Sequence, residues 1–297
     1  MALNIGLRLH DAAGATLEDK IRNARAQGFT CVHIAMSKVI PGFKMADAPK
    51  LLTEELAAEV RGLLEKYDVT CVLLGCYLNL ASPDLEDHAK TLEIYKAHLR
   101  FAKMIGAKMV GTETGAPNTG YKTCPECYTE EALQLFIERV TPVVRYAEEL
   151  GQMFAIEPVV RHIVSDPERC QRVIEHFNSP CLRVILDSVN LLNRENAPHA
   201  GDIVKDAIAR LGEYAELLHI KDFIPENTPR CIEAQANVAN VDMFDGLLSI
   251  ACGLGDMNYK PLTTLAQRRN IPMTLENTNP SNAEAARLNL VRIAEEA

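Results

Sequence analysis

The sequence predicts a closed (β/α)8 barrel, a TIM barrel, running as a single domain over residues 1–297. Three observations carry that prediction. Short apolar runs alternate with longer amphipathic stretches, the alternation repeats eight times, and several of the apolar runs end in polar residues. Strands separated by helices of this length form βαβ units and a parallel sheet. Eight such units close into a barrel. An open, doubly wound sheet is the competing architecture, but no G-x-G-x-x-G follows the first strand and no P-loop motif occurs.

The elements follow in order. "NIGLRL" (4–9) reads as the first strand, and "TLEDKIRNARAQG" (16–28) as an amphipathic helix with a glycine stop. "CVHIAM" (31–36) precedes the helical "TEELAAEVRGLLEKY" (53–67), with Thr53 as its N-cap. "VTCVLLG" (69–75) leads to a long helix over 85–105, and "KMVGTET" (108–114) to another over 129–151. "MFAIEPV" (153–159) is followed by a helix near 167–177, and "RVILDS" (183–188) by one near 202–212. "AELLHIKDF" (215–223) is the seventh strand, a helix over 259–269 the seventh helix, and "PMTLEN" (272–277) with a helix over 281–296 completes the set. The long interruption, 224–257, reads as an irregular segment placed to act as a substrate lid.

Composition narrows the function. A formal net charge of -9 is opposite in sign to the basic face that nucleic acid requires, and it gives no attraction to anionic membranes. No apolar run approaches a membrane span, and "MALNIGLRLHD" lacks the pattern of a secretory leader, so a cytoplasmic protein is expected. Of nine cysteines, seven are scattered, as reduced thiols are. Cys124 and Cys127 form a lone CxxC without the second pair that structural zinc wants, and read as an incidental pair in a flexible loop.

In a barrel of this kind the catalytic groups sit at the C-terminal ends of strands. Strand five ends in Glu157, strand six in Asp187, strand seven carries His219 and strand eight ends in Glu276. Three carboxylates converging on one rim repel one another and are costly to leave ionised. A divalent cation reverses that cost. A mainly oxygen donor set with one imidazole suits Mn²⁺, Mg²⁺ or Co²⁺, with Zn²⁺ also accommodated.

"FAIEP", "VILDSVN", "LLHIKDF" and "TLEN", in that order and spacing, resemble the xylose isomerase-like sugar isomerase/epimerase superfamily, and the resemblance covers nearly the whole chain. It implies that Glu157, Asp187, His219 and Glu276 bind one divalent metal, commonly Mn²⁺. It also implies that Glu157 and Glu276 flank a small sugar or cyclitol and move its protons. The implied chemistry is proton abstraction next to a carbonyl, through a metal-stabilised enediolate. The pattern departs from the ketose 3-epimerase branch: Arg161 is kept, but Ile163 replaces an acid, Asn190 replaces a histidine, and Lys221-Asp222 follows His219. That H-x-K-D version is closer to the branch holding inosose dehydratase-like lyases and metal-bearing subunits that cleave C-glycosides with a partner chain.

Further substrate-contact candidates are His10, His33 and Glu113 at other strand ends, with Arg161, Asn190, Lys221 and Asp222. With no tryptophan, a sugar face would have to stack on Tyr77, Tyr121, Phe223 or Tyr259. Two rivals are weaker. The abasic-site endonuclease that shares this barrel needs more histidines than the eight here and a basic surface. A non-catalytic sugar-binding barrel predicts a missing ligand, and all four are present. Barrels of this kind often form homo-oligomers, but no interface is legible in the sequence.

Overall fold

A computed structural model describes residues 2–296; the two terminal residues of the expected 1–297 domain lie outside them. Eight parallel strands close into a barrel, numbered here with the three strands outside it in chain order. They are β1 (Ile5–Arg8), β2 (Cys31–Ile34), β3 (Thr70–Gly75), β4 (Met109–Glu113), β5 (Met153–Glu157), β6 (Leu182–Asp187), β7 (Ala215–Ile220) and β11 (Met273–Leu275). β11 closes the ring between β7 and β1. The intervening β8 (Asp222–Pro225), β9 (Asp242–Phe244) and β10 (Leu247–Ile250) form a separate antiparallel sheet in the order β8-β10-β9.

The barrel strands are buried on both faces because helices cover the outside and side chains fill the inside, so they read as near-continuous apolar runs. The helices begin where their sequences supply a cap. Thr16, Thr53, Asp84 and Thr129 each accept a hydrogen bond from a backbone N–H in the first turn. The two longest, Leu85–Ile105 and Glu130–Leu150, stop at Gly106 and Gly151, whose left-handed backbone only glycine adopts without strain.

Inside the barrel the alternation of strand side chains sorts the residues into layers. Cys31, Leu73, Ala155, Ile185 and Leu217 belong to one apolar plug. Gly111 stands in the same layer: a methyl group there would lie 2.5 Å from the side chains of both Ile185 and Leu73. Two residues further along each strand the interior turns polar, with His33, Glu113, Glu157, Asp187 and His219.

Two expectations are corrected. "AELLHIKDF" is not one strand: β7 stops at Ile220, the chain turns at Lys221, and β8 pairs with β10 instead of the barrel. Nor is 224–257 irregular. It holds a helix (Pro229–Asn237), β9 and β10, because "DMF" and the apolar "LLSI" pair around the Asp245-Gly246 turn, where both residues take positive φ.

Candidate metal centre at the barrel mouth

The polar layer opens into a cavity of about 240 Å³ at the C-terminal end of the strands. Its wall includes Glu113, Glu157, Asn190, Lys221 and Glu276, with His33 and Arg8 from the β1–β2 side. The ladder between β11 and β7 extends one residue past β11, since Glu276 N–H donates to the Ile220 carbonyl at 2.9 Å. That extension carries Glu276 two residues past Thr274, the partner of His219 in the ladder, and its side chain reaches back to His219. The chain then turns away at Asn277, a residue type that tolerates the positive φ found there.

His219 is at the centre of this layer. Neither of its ring nitrogens makes a hydrogen bond, although both are buried. Nδ1 nevertheless lies 3.1 Å from Glu157 Oε2 and 3.4 Å from Glu276 Oε1. Two triplets share this histidine: Glu157, Asp187 and His219 in one, His33, His219 and Glu276 in the other. Each brings its ligand-capable atoms within 4.8 Å of one another. These are the groups that could hold a metal, and a buried imidazole ringed by carboxylates is a donor set that suits a divalent cation.

The neighbours fix each carboxylate. Asp187 Oδ1 accepts the N–H groups of Val189 and Asn190 at 2.9 and 3.1 Å, which turns the chain sharply after β6. That turn delivers the Asn190 side chain to Glu157 Oε1 at 2.5 Å. Lys221 Nζ pairs with Asp187 Oδ2 at 2.7 Å and donates to Glu276 Oε2 at 3.1 Å. Arg8 lies 3.9 Å from the same Glu276 oxygen.

Protonation follows from burial set against these charges. Burial pushes the Asp187 carboxyl up to about 6, with Lys221 opposing the rise. Burial disfavours a charged His219, yet Glu276 and Glu157 beside it push the imidazole up to about 9. For Glu276 burial is overcome by Lys221, His219 and Arg8, which hold it ionised, well below the usual carboxylate range. Burial, reinforced by Glu157, raises Glu113 to about 7. Its carboxylate accepts from the Tyr121 hydroxyl at 3.4 Å and lies 3.6 Å from His162 Nδ1.

Most residues singled out by sequence do gather here. His33 stacks on His219 with ring centroids 5.3 Å apart, and the Tyr77 hydroxyl is 3.3 Å from its Nε2. Gly75 makes that contact feasible, since a methyl group there would sit 2.6 Å from Tyr77 and 2.7 Å from His33. His10 and Arg161 also line the cavity. Asp222 does not: its buried carboxylate accepts the N–H groups of Phe223, Gly253 and Met257, folding the 253–257 turn. Phe223 and Tyr259 are buried away from the wall; the Tyr259 hydroxyl donates to the Lys221 carbonyl. Cys124 and Cys127 are free thiols 3.8 Å apart beside a short 3₁₀ turn, and neither lines the cavity.

Sequence reasoning missed Arg8, Lys38, Asp242, Phe244, Ser249 and Asn277 on the wall. Arg8 and Asn277 could have been found by counting two residues on from inward-facing Gly6, or one on from Glu276. The others come from the segments after β2 and around β9 and β10, which carry no positional signal.

Among the described residues no helix is long and apolar enough to cross a membrane. No curated protein matches the sequence. Among solved structures the fold is similar to a 3-keto-D-glucoside 4-epimerase from E. coli in its apo form, with a TM-score of 0.70 and 15% identity over 98% of this chain and 99% of that one. It is similar to a probable 3-DHS dehydratase from Bacillus anthracis, with a TM-score of 0.71 and 14% identity over 99% of each chain. A xylose isomerase-like TIM barrel protein from Mycobacterium smegmatis in complex with magnesium has a TM-score of 0.67 and 17% identity, over 99% and 97%. At these identities the likeness is one of fold. The xylose isomerase-like TIM barrel family profile matches residues 21–294, and the chain belongs to that family.

Proposed function

We propose that the protein is a divalent-metal-dependent sugar isomerase or epimerase in which Glu157, Asp187, His219 and Glu276 hold one cation, Mn²⁺ first among the candidates. The observation that carries this reading is the buried His219 ring, unbonded at both nitrogens and set among carboxylates. When bound, the cation supplies Lewis-acid polarisation of a sugar carbonyl and its neighbouring hydroxyl.

The protein's own groups do the rest. Glu276 is held ionised by Lys221 and Arg8, so one of its oxygens accepts a proton from the carbon next to the carbonyl. Glu157 is aimed by the Asn190 amide and handles the proton on the other side of the substrate. Glutamates on opposite faces favour inversion of a carbon centre; return to the same face gives aldose–ketose exchange. Glu113, His10 and His33 contact hydroxyls around the wall. The structural likeness to an epimerase and a dehydratase supports proton chemistry of this type.

A second reading, loss of water from a cyclitol or keto sugar, is favoured by Lys221. Its ammonium lines the cavity between two carboxylates and can hydrogen-bond a departing hydroxyl. Elemental analysis of the purified protein beside Glu157→Gln tests the common core. About one equivalent of manganese is expected in the wild type, with a reduced amount in the variant. Incubation with ketoses and inososes in deuterium oxide then reads exchange at the carbon next to the carbonyl. Failure to retain any divalent ion after reconstitution would favour the non-catalytic barrel.

A further inference from the structure

Arg161 is exceptional among the eighteen arginines of this chain. Each of the other seventeen makes a hydrogen bond or an ion pair, whereas among the described residues Arg161 makes neither. It is half-buried on the cavity wall, with its guanidinium carbon 5.3 Å from the centroid of the Phe244 ring. Its carboxylate neighbour Glu113 feels its charge but is not paired with it.

The backbone that carries Arg161 is held on several sides. Val160 N–H donates to the Asn190 carbonyl at 2.8 Å, and Ile163 N–H to the Gly115 carbonyl at 3.0 Å. His162 N–H closes a turn on the Val159 carbonyl at 2.8 Å, and Val164 N–H donates to the Thr114 hydroxyl at 3.1 Å. This turn therefore presents the guanidinium from a fixed base, and the Phe244 face steadies it by a cation–π contact. A planar fork of five N–H donors, without a protein acceptor and fixed at a cavity wall, matches a planar anion. Among the described residues the side chain of Lys38, a second cation at the wall, likewise makes no hydrogen bond or ion pair. Neutral hydroxyls alone leave the Arg161 fork without a charged acceptor in hydrogen-bond contact.

We propose that the substrate is a sugar acid, and that Arg161, braced on Phe244, holds its carboxylate at the cavity wall. This rests on the sugar-converting reading given above. A carboxylate suits the site better than a phosphate, because no glycine is among the described residues lining the cavity, and the one α-helix that starts there, Met36–Val39 after Ala35, is a single turn too short to cradle phosphate oxygens.

The test uses manganese-loaded protein and titration calorimetry with two matched probes, D-gluconate and the uncharged D-glucitol. Wild type is expected to bind gluconate at least about tenfold more tightly, the scale of a charge-assisted hydrogen bond. That preference should vanish in Arg161→Gln, while manganese stoichiometry stays unchanged. Phe244→Leu, which keeps the guanidinium but removes its ring, should weaken gluconate binding by a smaller factor and leave glucitol binding alone. Equal affinity for the two probes in wild type overturns the proposal, as does a gluconate preference undiminished in Arg161→Gln, which would trace it to the metal. Loss of manganese from wild type is a separate result: it removes the sugar-converting reading, and with it this one.

Discussion

The interior of the barrel contains two neighbouring regions of opposite character. The lower layer, with Cys31, Ala155, Ile185 and Leu217, is apolar; the layer above it holds His33, Glu157, Asp187 and His219. Each member of the second set stands two residues after a member of the first on the same strand, so one step of the pleat separates packing from chemistry. The difference teaches how a buried site is made. The plug supplies contact and excludes water from below, and the layer above gathers charges that only mutual pairing, or a cation, makes tolerable.

The comparison can be broken by substitutions that swap the two consequences. The largest effect is expected from His219→Ala, which should lose manganese completely while the far-ultraviolet dichroism still shows an intact barrel. Retention of a full equivalent of metal would break the distinction. Ile185→Ala, one pleat below Asp187, should do the reverse: a loss of about 2–5 kcal/mol in urea unfolding with metal stoichiometry intact. Gly111→Ala drives a methyl against Ile185 and Leu73, so overpacking should cost about 1–3 kcal/mol, again with metal retained.

Smaller, and sharpening rather than breaking the contrast, is the response to acid. Histidines for which burial outweighs the neighbouring charges are kept neutral: burial lowers His98 to about 4, and His10 and His162 to about 3. Unfolded, each would titrate near 6.5. The unfolded chain therefore binds more protons, and the stability they contribute is present above about pH 6.5 and declines as pH falls towards these lower values. His98 lies in the Leu85–Ile105 helix, far in sequence from the metal candidates, with Nδ1 on the Ile94 carbonyl at 2.8 Å. His98→Gln should flatten the fall of the urea midpoint between pH 6.5 and 4, by up to about 1.4 kcal/mol per pH unit. An unchanged slope would show that His98 already carries its proton in the folded state.

Much of this was legible in the sequence, for a physical reason. Strands buried on both faces must be apolar, so Glu157, Asp187, His219 and Glu276 stand out at the ends of such runs. Glycine and threonine signals at Gly106, Gly151 and Thr53 likewise mark helix ends because backbone groups there need a partner. What was not legible depends on direction in space. The break at Lys221 leaves no mark in "LLHIKDF", since Ile220 and Phe223 are equally apolar on either side of it. Phe244 and Asp242 reach the cavity only because β9 pairs with β10, a partnership set by a hairpin far from any motif. Asp222 illustrates the converse: a carboxylate beside a site can be a backbone fastener instead of a participant.

That fastener has a consequence for how the molecule can change over time. The chain leaves the barrel after Lys221 and returns at Met257, and Asp222 holds the two ends of the detour together through Gly253 and Met257. Gly255 lets them close, since a methyl there would come within 2.3 Å of the Phe223 carbonyl. A loop clamped at its neck can lengthen, shorten or be replaced at small entropic cost, without shifting the strands that feed it. The barrel thus keeps Glu157, Asp187, His219 and Glu276 in place while Phe244, Asp242 and Ser249 travel on an exchangeable segment. The cavity wall can be rewritten through some thirty residues between Asp222 and Met257, with the barrel strands underneath left as they are.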